Sequence, residues 1–181
     1  DKLIEKITGG KSEGFRAPTF SINQNTSWAI DALLEKNYKY DSSIVPVKTE
    51  LYGFSNCQQS PFKISNSLLT KNDPSGKLLE FPLSIGKFLG KTCPVAGGFY
   101  LRFLPLKTSL NAIKHYEEQN IPATIYIHSW ELTPEFMPKI ELPFKERFVT
   151  FHNIKNAYSR IEKILQNSRF SSFKDFLDNK E

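Results

Sequence analysis

Three side chains of this 181-residue sequence could carry a proton near neutral pH: His115, His128 and His152. Only His128 ends a run of alternating apolar residues, in Ile125-Tyr126-Ile127-His128-Ser129-Trp130-Glu131. The pattern predicts a strand that leaves the core and delivers an imidazole, an indole and a carboxylate within four positions. An imidazole so placed is suited to general acid–base work, or is a rim histidine with a structural partner; spacing alone does not separate the two. His115 falls within a charged helical stretch and His152 beside a helix start, which predicts structural or solvent-facing roles. Arg16, between apolar neighbours in Glu13 to Pro18, is costly to bury unless it meets a carboxylate, and is otherwise a surface arginine on an edge strand. Asp41 either caps a turn or faces a pocket at the carboxyl end of a strand. Gly97-Gly98, followed by Phe99, Tyr100 and Arg102, permits a tight turn or close approach of a ligand to the backbone, but its spacing is not a phosphate-binding fingerprint.

These residues need elements to position them. Leu3, Ile4 and Ile7 recur at helical spacing and stop at Gly9-Gly10, predicting a helix over Asp1 to Ile7 with no strand before it, as in the closing part of a longer protein. Glu13 to Pro18 predicts a short strand. Asn25-Thr26-Ser27 offers caps for a helix from about Trp28 to Asn37, with Ala29, Ile30, Leu33, Leu34 and Trp28 facing the core. Tyr38 to Val45 predicts a second strand, interrupted at Asp41-Ser42-Ser43. Strand, helix and strand at this spacing form a βα unit of a parallel sheet or barrel.

Residues 46–76 turn to Ser, Asn, Gln, Pro and Gly with isolated aromatics, a long excursion of the kind that walls a groove. Leu78 to Ile85 predicts a strand, with Pro82 arguing against an uninterrupted central position and Glu80 facing away from Leu79 and Phe81. Leu106, Leu110, Ile113 and Tyr116 mark a helix to about Gln119 that leads into the histidine strand as a second βα unit. Beyond Pro134 come an extended Met137 to Pro143, an amphipathic helix through Ile154, Ala157, Tyr158, Ile161, Ile164 and Leu165 capped by Asn153, and a short final helix at Phe170 to Leu177.

Composition narrows the classes. Hydrophobic residues make up 39%, charged 24% and aromatic 13% of the chain, which predicts a folded body. The net charge of +5 is spread without a basic block, which argues against nucleic acid as a partner and is compatible with a polyanionic or cell-surface glycan. No apolar run reaches membrane-span length. Cys57 and Cys93 fit no zinc or redox spacing and are free thiols or one disulfide.

Taken in order, Gly14-Phe15-Arg16-Ala17-Pro18-Thr19-Phe20-Ser21-Ile22, Tyr40-Asp41-Ser42-Ser43-Ile44, Gly97-Gly98-Phe99-Tyr100-Leu101-Arg102 and Ile127-His128-Ser129-Trp130-Glu131 resemble a known series. They are similar to the later motifs of bacterial polysaccharide deacetylases, the nodulation-type deacetylase domain of carbohydrate esterase family four, in the branch with an extra C-terminal region. Arg147-Phe148, the helix from Ile154 to Gln166 and Arg169-Phe170 resemble that region. The resemblance implies an α/β fold: the C-terminal part of a deformed (β/α) barrel over residues 1–134, with 46–76 as its excursion, and a helical C-terminal extension over 135–181 packing on it.

The implied chemistry is metal-dependent removal of N-acetyl groups from an N-acetylhexosamine polysaccharide. A divalent metal, usually zinc, and an aspartate base would activate water, as attack on an amide requires. His128 matches the histidine that protonates the departing amine, and Arg16 the arginine that orients the catalytic aspartate. Trp130 would line the sugar groove, with Asp41, Ser42, Gly98, Phe99 and Tyr100 as further substrate contacts. In the family the aspartate and a His-x-x-x-His metal pair precede the Arg-x-Pro motif, and this sequence has no such pair. The expectation is therefore a C-terminal portion whose 181 residues hold no metal and are inactive unaided. The competing class is a non-catalytic glycan-binding or scaffolding module with an aromatic groove of Trp28, Phe99, Tyr100 and Trp130. A nucleophilic hydrolase has no support, because no serine or cysteine sits in a recognisable elbow.

Overall fold

The computed structural model describes residues 2–137 and 140–178. Asp1 of the predicted first helix, part of the predicted 137–143 segment and the last three residues of the extension lie outside them. The fold is mixed α/β, with two small sheets and eight helices longer than a 3₁₀ turn among the described residues.

Helix α1 (Lys2–Thr8) precedes strand β1 (Gly14–Phe15), helix α2 (Trp28–Glu35) and strand β2 (Tyr40–Asp41). β1 and β2 pair in parallel, Gly14 with Tyr40 and Phe15 with Asp41, so the first predicted βα unit forms. Ile30 and Leu33 of α2 are buried as the stripe requires, but Trp28 is 66% exposed, correcting its expected place in the core. It occupies the first helical position, before the stripe has turned toward the sheet. The expected caps shift as well: Asn23 accepts from Asn25 N–H at 2.9 Å and caps a 3₁₀ turn at Gln24–Thr26 that leads into α2.

The excursion supplies the sheet's edge. β3 (Phe62–Ile64) runs antiparallel to β4 (Leu78–Glu80), which is parallel to β2, giving the order β1-β2-β4-β3. Phe62, Ile64 and Leu69 are buried with Ile30, Leu33, Ile44 and Leu78 in the largest core cluster, so this segment builds core as well as surface. Burying such aliphatic and aromatic side chains stabilises by about 1.5–3 kcal/mol each. Pro82 lies just past the end of β4, where no ladder bond is needed.

A hairpin follows, β5 (Ile85–Phe88) and β6 (Lys91–Pro94), closed by Leu89 and Gly90, both at positive φ. Positive φ at both central residues suits the twist of a two-residue hairpin. Gly98 to Phe103, where no helix was expected, forms α3, and α4 (Leu106–Glu118) matches the predicted helix and packs on β5. The histidine segment is extended but not a full strand: it bridges only at Gly97 and Tyr126, in parallel. Helix α5 (Ser129–Leu132) begins directly after His128. The unexpected α6 (Phe144–Phe151), then α7 (Ala157–Asn167) and α8 (Phe173–Asp178), complete the chain.

α7 packs against α3, α4 and α5, with Ile164 buried beside Leu101 and Ile113. In α8, Phe173 stacks on Phe81 at 4.4 Å, and Phe176 meets the same ring edge-on at 5.4 Å. Asn153 takes a left-handed conformation and donates from its side chain to the Arg102 carbonyl at 2.9 Å, so it does not cap the following helix as predicted. Cys57 and Cys93 are free thiols. Among the described residues, no helix is long and apolar enough to cross a membrane.

Candidate functional site

The parallel strands β1, β2 and β4 end at Phe15, Asp41 and Glu80, and the residues just beyond them are knitted together. The Arg16 guanidinium donates from Nε to the Ser42 carbonyl at 2.8 Å and from Nη2 to Ser42 Oγ at 2.7 Å. Ser42 Oγ in turn donates to the Phe81 carbonyl at 2.7 Å. One step along, Ala17 N–H donates to Ser43 Oγ at 2.8 Å, and Ser43 Oγ to Asp41 Oδ1 at 2.7 Å. Crossover connections place ligand sites at this end of parallel strands. Arg16 thus takes Ser42 as its hydrogen-bonding partner, where the sequence left a carboxylate partner or a surface position open. Burial lowers its pKa from the usual arginine value, and the charges of Glu80, Tyr126 and Asp41 oppose that shift.

Asp41 and Glu80 face each other across the β2–β4 register, and both are fully buried. Glu80 Oε1 accepts from Ile44 N–H at 3.0 Å. No donor points at Glu80 Oε2, and its neighbour is another acceptor, the Asp41 carboxylate, so their contact is a hydrogen bond only when Glu80 carries a proton. Burial, then the Asp41 charge, pushes Glu80 well above the usual carboxyl range. Burial also raises Asp41, against hydrogen bonds from Glu80 and Ser43. Both shifts favour a proton shared between the two carboxyls.

Tyr126 connects this end of the sheet to His128. Its N–H donates to the Ala96 carbonyl at 2.9 Å, and its ring lies across the Gly97-Gly98 backbone. A Cβ on Gly97 would come within 1.9 Å of that ring. The close approach allowed by the two glycines is therefore made by the protein's own tyrosine. Burial pushes the Tyr126 phenol up to about 12. Arg16 lies over the Tyr126 ring, 5.4 Å from its centroid. His128 meets Tyr126 edge-on at 5.3 Å, and Trp130 stacks on His128 at 5.4 Å with 12° between planes. Arg16, Tyr126, His128 and Trp130 form one continuous array, with the His128 imidazole exposed and Trp130 half-buried.

The other expected contacts distribute differently. Asp41 is sealed in the core, whereas Ser42 holds Arg16. Gly98 opens α3 at φ +49°, a left-handed conformation that favours glycine. Phe99 packs among Tyr100, Phe103, Phe148 and His152, while Tyr100 lies within hydrogen-bonding reach of Tyr52. Trp28 is on the exposed start of α2.

Glu80, Tyr126 and the partnership of Arg102 with Glu131 were missed. Tyr126 was legible two residues before His128 in the alternating pattern, on the same side of the strand. The Glu80 pairing was not, because it depends on the register of β4 against β2.

Burial pushes the Cys57 thiol up to about 12 and raises Cys93 too, so neither is a ready nucleophile. Asp41 and Glu80 are engaged with Ser43, Ile44 and each other, and no group of three His, Cys, Asp or Glu converges among the described residues. The described residues do not make up a metal ligand set. No curated protein matches the chain, and no solved structure does. A family model does match, over residues 42–178, and its span includes Ser42, Gly97-Gly98, Arg102, Tyr126, His128, Trp130 and the helices beyond. On that match across most of its length, the chain belongs to the family described as Domain of unknown function (DUF3473).

Proposed function

We propose that the chain is the C-terminal portion of a metal-dependent polysaccharide N-deacetylase, a deformed (β/α) barrel with a helical extension acting on an N-acetylhexosamine polymer. The observation that carries the reading is the exposed His128 imidazole between Tyr126 and Trp130, with Arg16 over the Tyr126 ring at the carboxyl ends of parallel strands. The order of four sequence motifs supports it, as does the family, which accompanies polysaccharide deacetylase proteins.

Expelling an amine from an N-acetyl group requires a proton donor at the departing nitrogen, and an exposed imidazolium supplies one. The half-buried Trp130 indole, stacked on that donor, would line the sugar groove beside it. Arg16, immobilised by Ser42, places a fixed positive charge where a carboxylate base would be held. The base and a divalent metal, zinc in this reading, belong to residues of the complete protein other than these; the metal's contribution is to lower the pKa of water for attack.

The test is acetate release from a poly-N-acetylglucosamine substrate by the complete protein carrying His128→Ala. Removal of a general acid is expected to lower kcat by about 10²–10⁴-fold with the fold intact, because His128 is exposed. Undiminished turnover would refute the acid role. Retained glycan binding without acetate release from the parent protein would instead support the binding-module reading.

A further inference from the structure

Arg102 is buried, 3% exposed, and the partners of its guanidinium, Glu131, Trp130, Val149 and His152, belong to the histidine site or to the C-terminal region. Its Nε donates to Glu131 Oε1 at 2.7 Å, an ion pair with both side chains 3% exposed. Nη2 donates to the Val149 carbonyl at 3.0 Å and Nη1 to the His152 carbonyl, at the C-terminal end of α6. The guanidinium also lies over Trp130, 5.6 Å from the ring centroid. Glu131 completes the link: its Oε2 accepts from His128 N–H at 3.0 Å, while Glu131 N–H donates to the His128 carbonyl at 3.0 Å.

We infer that Arg102 is the positioning residue of this site, fixing the His128 backbone through Glu131 and the Trp130 ring directly, and tying both to the end of α6. The geometry has a specific logic. A planar fork reaches one carboxylate and two carbonyls at once, which a lysine ammonium on a single stem does not reproduce. The pair is withdrawn from water, so its geometry is not diluted by solvent as a surface pair's is. His128 sits where an extended segment becomes a helix, and its two hydrogen bonds with Glu131, one donated and one accepted, set that turn. Through Val149 and His152, docking of the C-terminal helices is a condition for placing the imidazole. The catalytic part of the inference rests on His128 acting on substrate as proposed; the positioning part does not.

The experiment has three readouts. In the unaltered chain, amide exchange followed by NMR is expected to show the His128 N–H protected at least about tenfold over the unstructured rate. An unprotected His128 amide beside a protected Tyr126 amide would overturn the inference without any variant. In a Trp28→Phe background Trp130 is the remaining tryptophan of two. There, Arg102→Met with Glu131→Leu removes both buried charges together, a replacement that proteins often tolerate. Acrylamide quenching of Trp130 is expected to rise about two- to fivefold at an unchanged melting temperature, while Arg102→Lys recovers part of the parental value. A folded double variant with parental quenching would show the pair to be structural only; if it does not fold, the exchange measurement decides.

In the complete protein the same pair of substitutions is expected to lower kcat for acetate release more than about tenfold with a smaller change in KM. Parental kcat in a folded double variant would overturn the catalytic part. Absence of acetate release from the parent protein, with the exchange and quenching results as expected, would refute the deacetylase reading and leave the positioning role standing.

Discussion

Glu80 and Asp41 place two carboxyls at paired positions of neighbouring parallel strands, with the Arg16 guanidinium held just beyond by Ser42. Like charges that close cannot both ionise in a dry interior, so the pair keeps a proton that the unfolded chain releases near the ordinary glutamate value of 4.5. The folded pKa of Glu80 is raised, so the stabilisation is fully present below 4.5 and is lost as pH rises through the raised value. Glu80→Gln retains an acceptor for Ile44 N–H and gains a permanent donor toward Asp41. It is expected to stabilise the chain by about 1–3 kcal/mol at alkaline pH, with little change in mild acid. Urea midpoints across pH test this; a parallel pH dependence in parent and variant would show that the pair holds no such proton.

Between elements, the connections are side chains bound to helix ends and backbones that touch. Arg102 donates to carbonyls at the end of α6, and Arg160 of α7 donates to the Leu101 and Leu104 carbonyls at the end of α3, through Nε at 2.7 Å and Nη2 respectively. Guanidinium groups at helix C-termini satisfy carbonyls that have no intrahelical donor and oppose the negative end of the dipole. The two contacts run in opposite directions, locking α3 to α6 and α7. The Gly97–Tyr126 bridge is the matching backbone contact. Gly97 has φ −177°, which any residue adopts, so its requirement is space alone. Gly97→Ala is expected to push the Tyr126 ring aside and cost about 1–3 kcal/mol, and to displace the segment bearing His128. Thermal melting, with the Trp130 emission maximum as a local reporter, checks both effects. Unchanged melting and emission would mean the ring relocates freely.

For the whole molecule, the region after residue 134 is structurally continuous with what precedes it: α7 enters the core beside Leu101 and Ile113, and α8 stacks on Phe81, the residue just past β4. The family match likewise runs across that boundary, from residue 42 to residue 178. The described residues gather no three potential metal ligands. A zinc site needs three or four donors converging on one point. Titration of the 181-residue chain with zinc is therefore expected to show no saturable binding tighter than about micromolar, and no acetate release. Stoichiometric binding or turnover by this chain would refute the assignment of the metal ligands and base to other residues.

Periodicity by itself determined where α2, α4, α7 and α8 form, because each carries an apolar stripe at helical spacing, and it marked the parallel β1–α2–β2 unit. It also singled out His128, because an alternating run that ends in an imidazole and an indole is a local pattern. Tertiary structure alone decided what surrounds that imidazole. Short strands carry too few alternations to fix a facing, so Glu80 became a buried partner of Asp41 only through register. α3 and α6 are held at their ends by arginines distant in sequence, α3 by Arg160 and α6 by Arg102. Arg16 found Ser42 across 26 positions, and Arg102 found Glu131 across 29. Pairings of that range are set by how the helices dock on the sheet, since no local preference encodes which buried cation meets which acceptor.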